Sequence, residues 1–199
     1  MKAWLLILAL LPPLAAASDA ATRRLDSYDH MFKKYSKRYF GVGWDWRIFK
    51  AQAMAESNMT PTAESRVGAK GLMQLMPSTF GEIQTKNPEL QNIDDPEWNI
   101  AAGIYHDRQL WRSWQEHESD PDRLNFTFAS YNAGRGYIAQ AQEKARARGM
   151  DPLVWWSIEQ VAAQVPRWRY RETLGYVQKI TSNRQLLDDR GRVRRTPRS

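Results

Sequence analysis

Four short segments of this chain carry side chains that could do chemistry. The first is Ala55-Glu56-Ser57, where a helical pattern gives way to irregular sequence. Ala53, Met54, Ala55 and Met59 surround Glu56. A carboxyl group at a helix end among apolar side chains loses hydration, which favours its neutral form and raises its proton affinity. A carboxyl that keeps its proton near neutrality is a general acid. Taken alone, the fragment reads more simply as an exposed helix glutamate.

The second segment is Gly68-Ala-Lys-Gly-Leu-Met-Gln-Leu-Met-Pro77. Glycines at 68 and 71 allow unusual dihedrals and close backbone approach. Gln74 is an amide that could hold sugar hydroxyls or an acetamido group. The simpler reading is a glycine-rich turn into a core segment, and Leu72, Leu75 and Met76 read as core either way. The third is Ala129-Ser-Tyr-Asn-Ala-Gly134, where Tyr131 and Asn132 stand among small residues that leave room for a ligand. The alternative is a packed tyrosine and an asparagine closing a helix before Gly134. The fourth is Arg171-Glu-Thr-Leu-Gly-Tyr-Val177. Glu172 and Tyr176 lie four apart and so share a helical face, which also fits a surface pair.

These segments need helices to position them. Leu25, Tyr28, Phe32, Tyr35 and Tyr39 recur at three- and four-residue steps, with lysines and Arg23 on the outer face. Gly41-Val-Gly43 ends that helix, and Asp45 can cap the next. On this second helix Ile48, Ala51 and Ala55 share one face, and Phe49, Gln52 and Glu56 the neighbouring one. Residues 58–69 have no period and read as a loop. Further helices are expected from Pro77 toward Ile83, from Asp95-Pro96 through Trp111, over Leu124–Tyr131, Ile138–Arg148, Pro152–Val165 and Arg171–Leu187. Valine and isoleucine alternation is almost absent, so no long strand is expected. The fold class is mainly α.

Composition narrows the classes. The chain has 199 residues, 42% hydrophobic and 26% charged, a globular mix that suits one domain. It has no cysteine, which excludes disulfides, cysteine-ligated metals, thiol catalysis and a lipid-anchored N-terminus. His30, His106 and His117 show no ligand spacing, so no metal site is expected. Met1–Ala17 reads as a secretory signal: Lys2, an apolar run from Ala3 to Leu11, a Pro12-Pro13 break, then small residues before a cut after Ala17 or Ala20. The run is too short for a spanning helix. The net charge of +7 favours polyanions, and the mature chain would carry +6. The expected organisation is a signal peptide over residues 1–17, a domain over 18–187 and a basic, disordered tail over 188–199.

In order, the motifs are more specific than any one of them. Glu56-Ser57, Pro61, Ser65, Gly68-Ala69 and Gly71-Leu-Met-Gln74 resemble the soluble, lysozyme-like lytic transglycosylases. So do Asp95-Pro96 with Asn99-Ile100, Gly103 and Tyr105, then Tyr131-Asn-Ala-Gly134, and Glu172-Thr173 with Tyr176-Val177. The similarity runs from about Trp46 to Ile180.

The resemblance implies a lysozyme-like single domain, with at most a minor β-hairpin in the stretch from Asn58 to Gln74. It implies peptidoglycan glycan strands as substrate and cleavage between N-acetylmuramic acid and N-acetylglucosamine that leaves a 1,6-anhydro end. No cofactor is implied. Glu56 falls on the family's single catalytic carboxylate and Ser65 on a residue that orients the sugar. Met73, Gln74, Met76, Tyr131, Asn132, Glu172 and Tyr176 fall on cleft-lining positions. A periplasmic location fits an exported, cysteine-free member.

Ala63-Glu64-Ser65 repeats the Glu-Ser pair, but Glu64 stands in the polar loop, at a position the family leaves variable. Two other functions stay open on the residues: a wall-binding module without catalysis, and an exported protein that binds nucleic acid or anionic lipid through its basic tail. A hydrolytic lysozyme is the enzymatic alternative.

Overall fold

The computed structural model of the protein describes residues 25–114 and 120–194. Its helices are α1 (Asp29–Phe40), α2 (Arg47–Ser57), α3 (Pro77–Gln84), α4 (Pro96–Ser113), α5 (Asp120–Ala133), α6 (Arg135–Ala147), α7 (Trp155–Val161) and α8 (Tyr170–Leu186), with a 3₁₀ turn at Ala162–Gln164. The expected signal segment, residues 1–17, lies outside the described residues. Among the described residues no helix is long and apolar enough to cross a membrane.

One hydrophobic core runs through the molecule, joining Phe32 of α1, Phe49 of α2, Ile100 of α4, Phe126 of α5, Ile138 of α6 and Ile158 of α7. Helix α2 lies deepest, with Phe49, Lys50, Ala51, Gln52, Ala53 and Met54 all buried. Its alanines leave little side-chain bulk on the buried faces. Helix α8 bonds along it: Lys179 Nζ donates to the Ala55 carbonyl at its carboxyl end at 2.8 Å, and Asn183 Nδ2 donates to the mid-helix carbonyl of Ala51 at 3.1 Å. A cation at a helix carboxyl end is favourable, and the last carbonyls need such partners.

Helix α2 then ends abruptly. Asn58 and Met59 both take left-handed dihedrals (φ 50° and 59°), costly for side-chain-bearing residues. Met59 is fully buried, so its packing offsets that strain. Ser57 Oγ donates to the Leu72 carbonyl at 2.9 Å and accepts from Thr60 N at 3.2 Å, tying the helix end to the following loop.

The stretch from Asn58 to Gln74 contains isolated antiparallel bridges, Glu64 with Lys70 and Lys70 with Leu75, and no strand among the described residues. Asn99, buried on α4, brackets this loop. It accepts from Met73 N at 2.8 Å and donates to the carbonyls of Lys70 and Ile93 at 3.0 Å each. Gly71 (φ 78°) sits so close that a Cβ there would lie 2.3 Å from the Asn99 amide. Only glycine meets both conditions. Asp95 caps α4 through Glu97 N and Trp98 N, as its spacing before Pro96 suggests.

Three sequence expectations change. The single helix over Pro152–Val165 begins only at Trp155 and tightens to a 3₁₀ turn at Ala162, because residues 151–154 are used in a turn capped by Asp151. Asp45 lies one residue outside the N-cap of α2. It accepts from Arg47 N and binds the guanidinium groups of Arg47 and Arg184.

The third change concerns the tail. Residues 188–194 fold back on the domain: Leu187 bridges Val193, and Gly191 lies against the Trp46 ring. Lys50, 0% exposed on α2, draws this segment in. Its Nζ meets Asp26 at 2.9 Å, Asp29 at 2.7 Å and the Gly191 carbonyl at 2.7 Å. A buried ammonium must find such partners, and a lysine between apolar residues gives no hint of them in sequence. Residues 195–199 lie outside the described residues.

Removing the ammonium strands these acceptors. Lys50→Met should lower stability by about 3 kcal/mol, read as a fall in thermal midpoint of about 10 °C. An unchanged midpoint would mean that the Lys50 contacts add nothing.

Candidate functional site

Glu56 occupies the last turn of α2, partly buried, with one carboxylate oxygen held by Tyr176 of α8. The Tyr176 hydroxyl donates to Glu56 Oε1 at 2.5 Å. Burial raises the carboxyl from its ordinary 4.5. The Tyr176 bond and the charge of Lys179 pull the other way, and the outcome is about 7. Burial, with Glu56 next to it, pushes the Tyr176 phenol well above its usual value, so this hydroxyl stays a donor. Tyr131, at the end of α5, is pushed up for the same first reason, with Asp107 and Glu56 adding to it. Its hydroxyl donates to the Met73 carbonyl at 2.7 Å, fixing the loop against α5.

The third and fourth motifs meet through a chain of hydrogen bonds. Trp168 Nε1 donates to Thr173 Oγ1 at 3.0 Å, and Thr173 Oγ1 donates to Asn132 Oδ1 at 2.9 Å. Asn132 is exposed and oriented by this chain.

Other expected residues take different places. Met73 is fully buried and its side chain fills the space above Gly103, where a Cβ would come within 2.7 Å of it. The cleft-lining role expected of the Met73 side chain therefore fails, because the core holds it. Met76 reverses the core reading: it is 38% exposed, directly before α3. Gln74, with φ 45°, spends Nε2 on the carbonyls of Ala63 and Gly71 at 3.1 and 3.0 Å. Ser65 caps its own turn, accepting from Ala69 N at 2.9 Å. Glu172 does not pair with Tyr176. It is exposed and meets Arg169 at 2.7 Å beside a surface hollow of about 480 Å³. Glu64 is exposed in its bridge to Lys70, unlike Glu56.

A hollow of about 470 Å³ is lined by Asp45, Ile48, Leu124, Phe128 and Arg184 among others, and Glu56 is not part of it. The desolvated carboxyl is the better guide, since an empty hollow supplies no reacting group.

Two buried polar residues behind Glu56 belong to none of the four motifs. Gln52 and Asp107 are both 0% exposed, and Gln52 Nε2 donates to Asp107 Oδ1 at 3.2 Å. The signal was available. Ile100, Ile104, Asp107 and Trp111 form one helical stripe, and an acid on an apolar stripe must find a partner inside.

A mainly helical domain with one carboxyl kept half-protonated near neutrality fits the lysozyme-like class. The Transglycosylase SLT domain family model matches residues 30–154, and the chain belongs to that family. It is 35% identical over 158 residues to a membrane-bound lytic murein transglycosylase F of Desulfosudis oleivorans, covering 77% of this chain and 32% of the relative. The corresponding protein of Stutzerimonas stutzeri is 31% identical over 156 residues, covering 77% and 30%. The chain thus spans about a third of the length of these curated relatives.

Among solved structures, the 70-kDa soluble lytic transglycosylase of Escherichia coli is similar with a TM-score of 0.60 and 27% identity, covering 85% of this chain and 25% of that one. A complex of the 70-kDa soluble lytic transglycosylase with bulgecin A matches with a TM-score of 0.61 at 22% identity, covering 90% and 28%. The fold is lysozyme-like.

Because the Tyr176 hydroxyl stabilises the ionised form of Glu56, Tyr176→Phe should raise the carboxyl's midpoint further. The Glu56 midpoint, followed by side-chain carboxyl ¹³C shifts, should move up by about one pH unit. A midpoint that stays in place would show that the hydroxyl does not act on Glu56. Asn99→Ala should cost about 2–4 kcal/mol in denaturant unfolding, because it leaves Met73 N and two carbonyls without their buried partner.

Proposed function

We propose that the chain is a lytic transglycosylase domain acting on peptidoglycan glycan strands, with Glu56 as its single acid and then base. The observation that carries this reading is the position of Glu56, partly buried in the last turn of α2, held by Tyr176 and half-protonated near pH 7. Family membership supports it.

Ordinary glycosidases place two carboxylates roughly 5–9 Å apart. Among the described residues, the carboxyl that interacts with Glu56, Asp107, is fully buried and bonded to Gln52, so it cannot serve as a nucleophile. One carboxyl suffices if the substrate supplies the nucleophile. Protonated Glu56 would donate to the glycosidic oxygen as the bond between N-acetylmuramic acid and N-acetylglucosamine breaks. The muramic acetamido oxygen would stabilise the cationic carbon, as in substrate-assisted enzymes. Glu56, now a carboxylate, would take the proton of the same sugar's 6-hydroxyl as that oxygen closes the 1,6-anhydro ring. The hydroxyl is already in place on the reacting sugar, which supplies much of the rate.

Exposed Met76, Asn132 and Glu172 with part-buried Ser65, Gln74 and Tyr131 would bind the strand, and Tyr176 would orient Glu56. Substrate and the apolar N-terminal segment of the sequence both point to the periplasm.

Glu56→Gln should lower release of anhydro-muropeptides from sacculi by about 10²–10⁴-fold, while Glu64→Gln retains wild-type turnover. The reverse pattern would overturn the assignment. Wild-type products with reducing ends would mean a hydrolytic lysozyme, and no soluble product would mean a wall-binding module.

The same substitution carries a stability prediction. A folded-state pKa raised from 4.5 to about 7 gives stability that is complete below 4.5 and lost as pH rises through 7. The full shift corresponds to about 3 kcal/mol, which partial exposure of Glu56 reduces to about 1–2. Glu56→Gln should therefore be more stable than wild type above pH 7 and indistinguishable from it in acid. Equal stability at both extremes would argue against a desolvated carboxylate.

A further inference from the structure

Behind Glu56 lies a carboxyl that the proposed reaction does not use. Asp107 on α4 and Gln52 on α2 are both 0% exposed, and Gln52 precedes Glu56 by one helical turn. Gln52 Nε2 donates to Asp107 Oδ1 at 3.2 Å. The other two polar atoms of the pair, Asp107 Oδ2 and Gln52 Oε1, are buried without a hydrogen-bond partner among the described residues. As a carboxylate, Asp107 offers only acceptors, and so does Gln52 Oε1, so these two atoms cannot satisfy each other. A proton on Oδ2 removes the conflict. Oδ2–H would then donate to Gln52 Oε1 while Gln52 Nε2 donates to Oδ1, which would close a ring of two hydrogen bonds.

We propose that Asp107 is a neutral carboxylic acid locked in a cyclic acid–amide pair with Gln52, a positioning residue that anchors the turn before Glu56 without bringing it a second negative charge. The surroundings favour this state. Asp107 has no cation bonded to it among the described residues. The groups that face it are Gln52 and Glu56 of α2, Tyr131 of α5 and Tyr176 of α8. Its neighbour on α4, His106, packs against Tyr131 with tilted rings whose centroids lie 5.2 Å apart, and is held toward the neutral form by burial. Burial first, and Glu56 after it, push Asp107 well above the usual carboxylate range, against the pull of Gln52. An ionised Asp107 would compete with Glu56 for one proton, since two close carboxylates do not both ionise freely. A neutral Asp107 leaves the titration near neutrality to Glu56 alone.

The role in positioning rests on the function proposed above, but the protonation state does not, and the two are read separately. Side-chain carboxyl ¹³C shifts of labelled full-length protein report Asp107 directly, with Asp107→Asn identifying its signal. The expected result is a protonated carboxyl that does not titrate while Glu56 does. An ionised Asp107 signal at neutral pH would overturn the proposal, whatever the enzyme does.

On sacculi, Asp107→Asn replaces one neutral hydrogen-bonding group by another. It should leave the alkaline limb of the pH profile in place. A limb displaced to lower pH would mean that a negative charge had been removed from beside Glu56, and that Asp107 is an anion in the native protein. If the asparagine variant does not fold, the double variant Gln52→Leu with Asp107→Leu serves both purposes. It removes both partners together and gives the same two readings of the limb.

Discussion

The balance around one carboxyl governs the arrangement of this molecule. In the reaction proposed for it, Glu56 must be dry enough to keep a proton near neutrality and wet enough to reach a substrate. Burial drives its proton affinity up, and the Tyr176 hydroxyl and Lys179 ammonium limit the rise. Neither limit works alone. Without the hydroxyl the carboxyl would hold its proton too tightly to be a good acid near neutrality. With a full ion pair it would never hold the proton at all. A neutral donor at 2.5 Å, with the cation turned to the Ala55 carbonyl, sits between these extremes.

That balance sets demands on the rest of the fold. Glu56 sits at a helix end because the chain must leave there and expose one side of the carboxyl. The departure is sharp, through two left-handed residues, and Ser57, Asn99 and Tyr131 tie the following loop to α2, α4 and α5. The loop is therefore rigid without being a sheet. Its order comes from side chains bonded to backbone, which is how an irregular segment can hold a site in place. Far behind the site, Lys50 holds the other end of α2 to α1 and to the returning chain at Gly191. Buried polar groups thus act along most of α2, and each has its own partner.

What the sequence reveals follows from the range of the interactions. Helices with strong three- and four-residue periodicity can be read directly, as α1, α4 and α8 show, because the signal is local. Glu56 stands out because its apolar neighbours adjoin it in the chain. Tyr176 as its partner does not, since 120 residues separate them. Pairing Glu172 with Tyr176 follows from helix geometry and fails because Arg169 is one turn away in the opposite direction. Met73 reads as a cleft residue by motif position and is taken into the core over Gly103. The folded segment at 188–194 is hidden because its anchors, Lys50 and Trp46, come from the far end of the chain. Asp107 was visible as an acid on an apolar stripe, but its partner on another helix was not.

The most direct test is a site-resolved titration of the Glu56 carboxyl in the folded protein, by ¹³C shifts compared with Glu56→Gln. The expected midpoint lies near 7, with the Tyr176 ring signals following the same curve. A midpoint near 4.5, the value of a solvated glutamate, would contradict it.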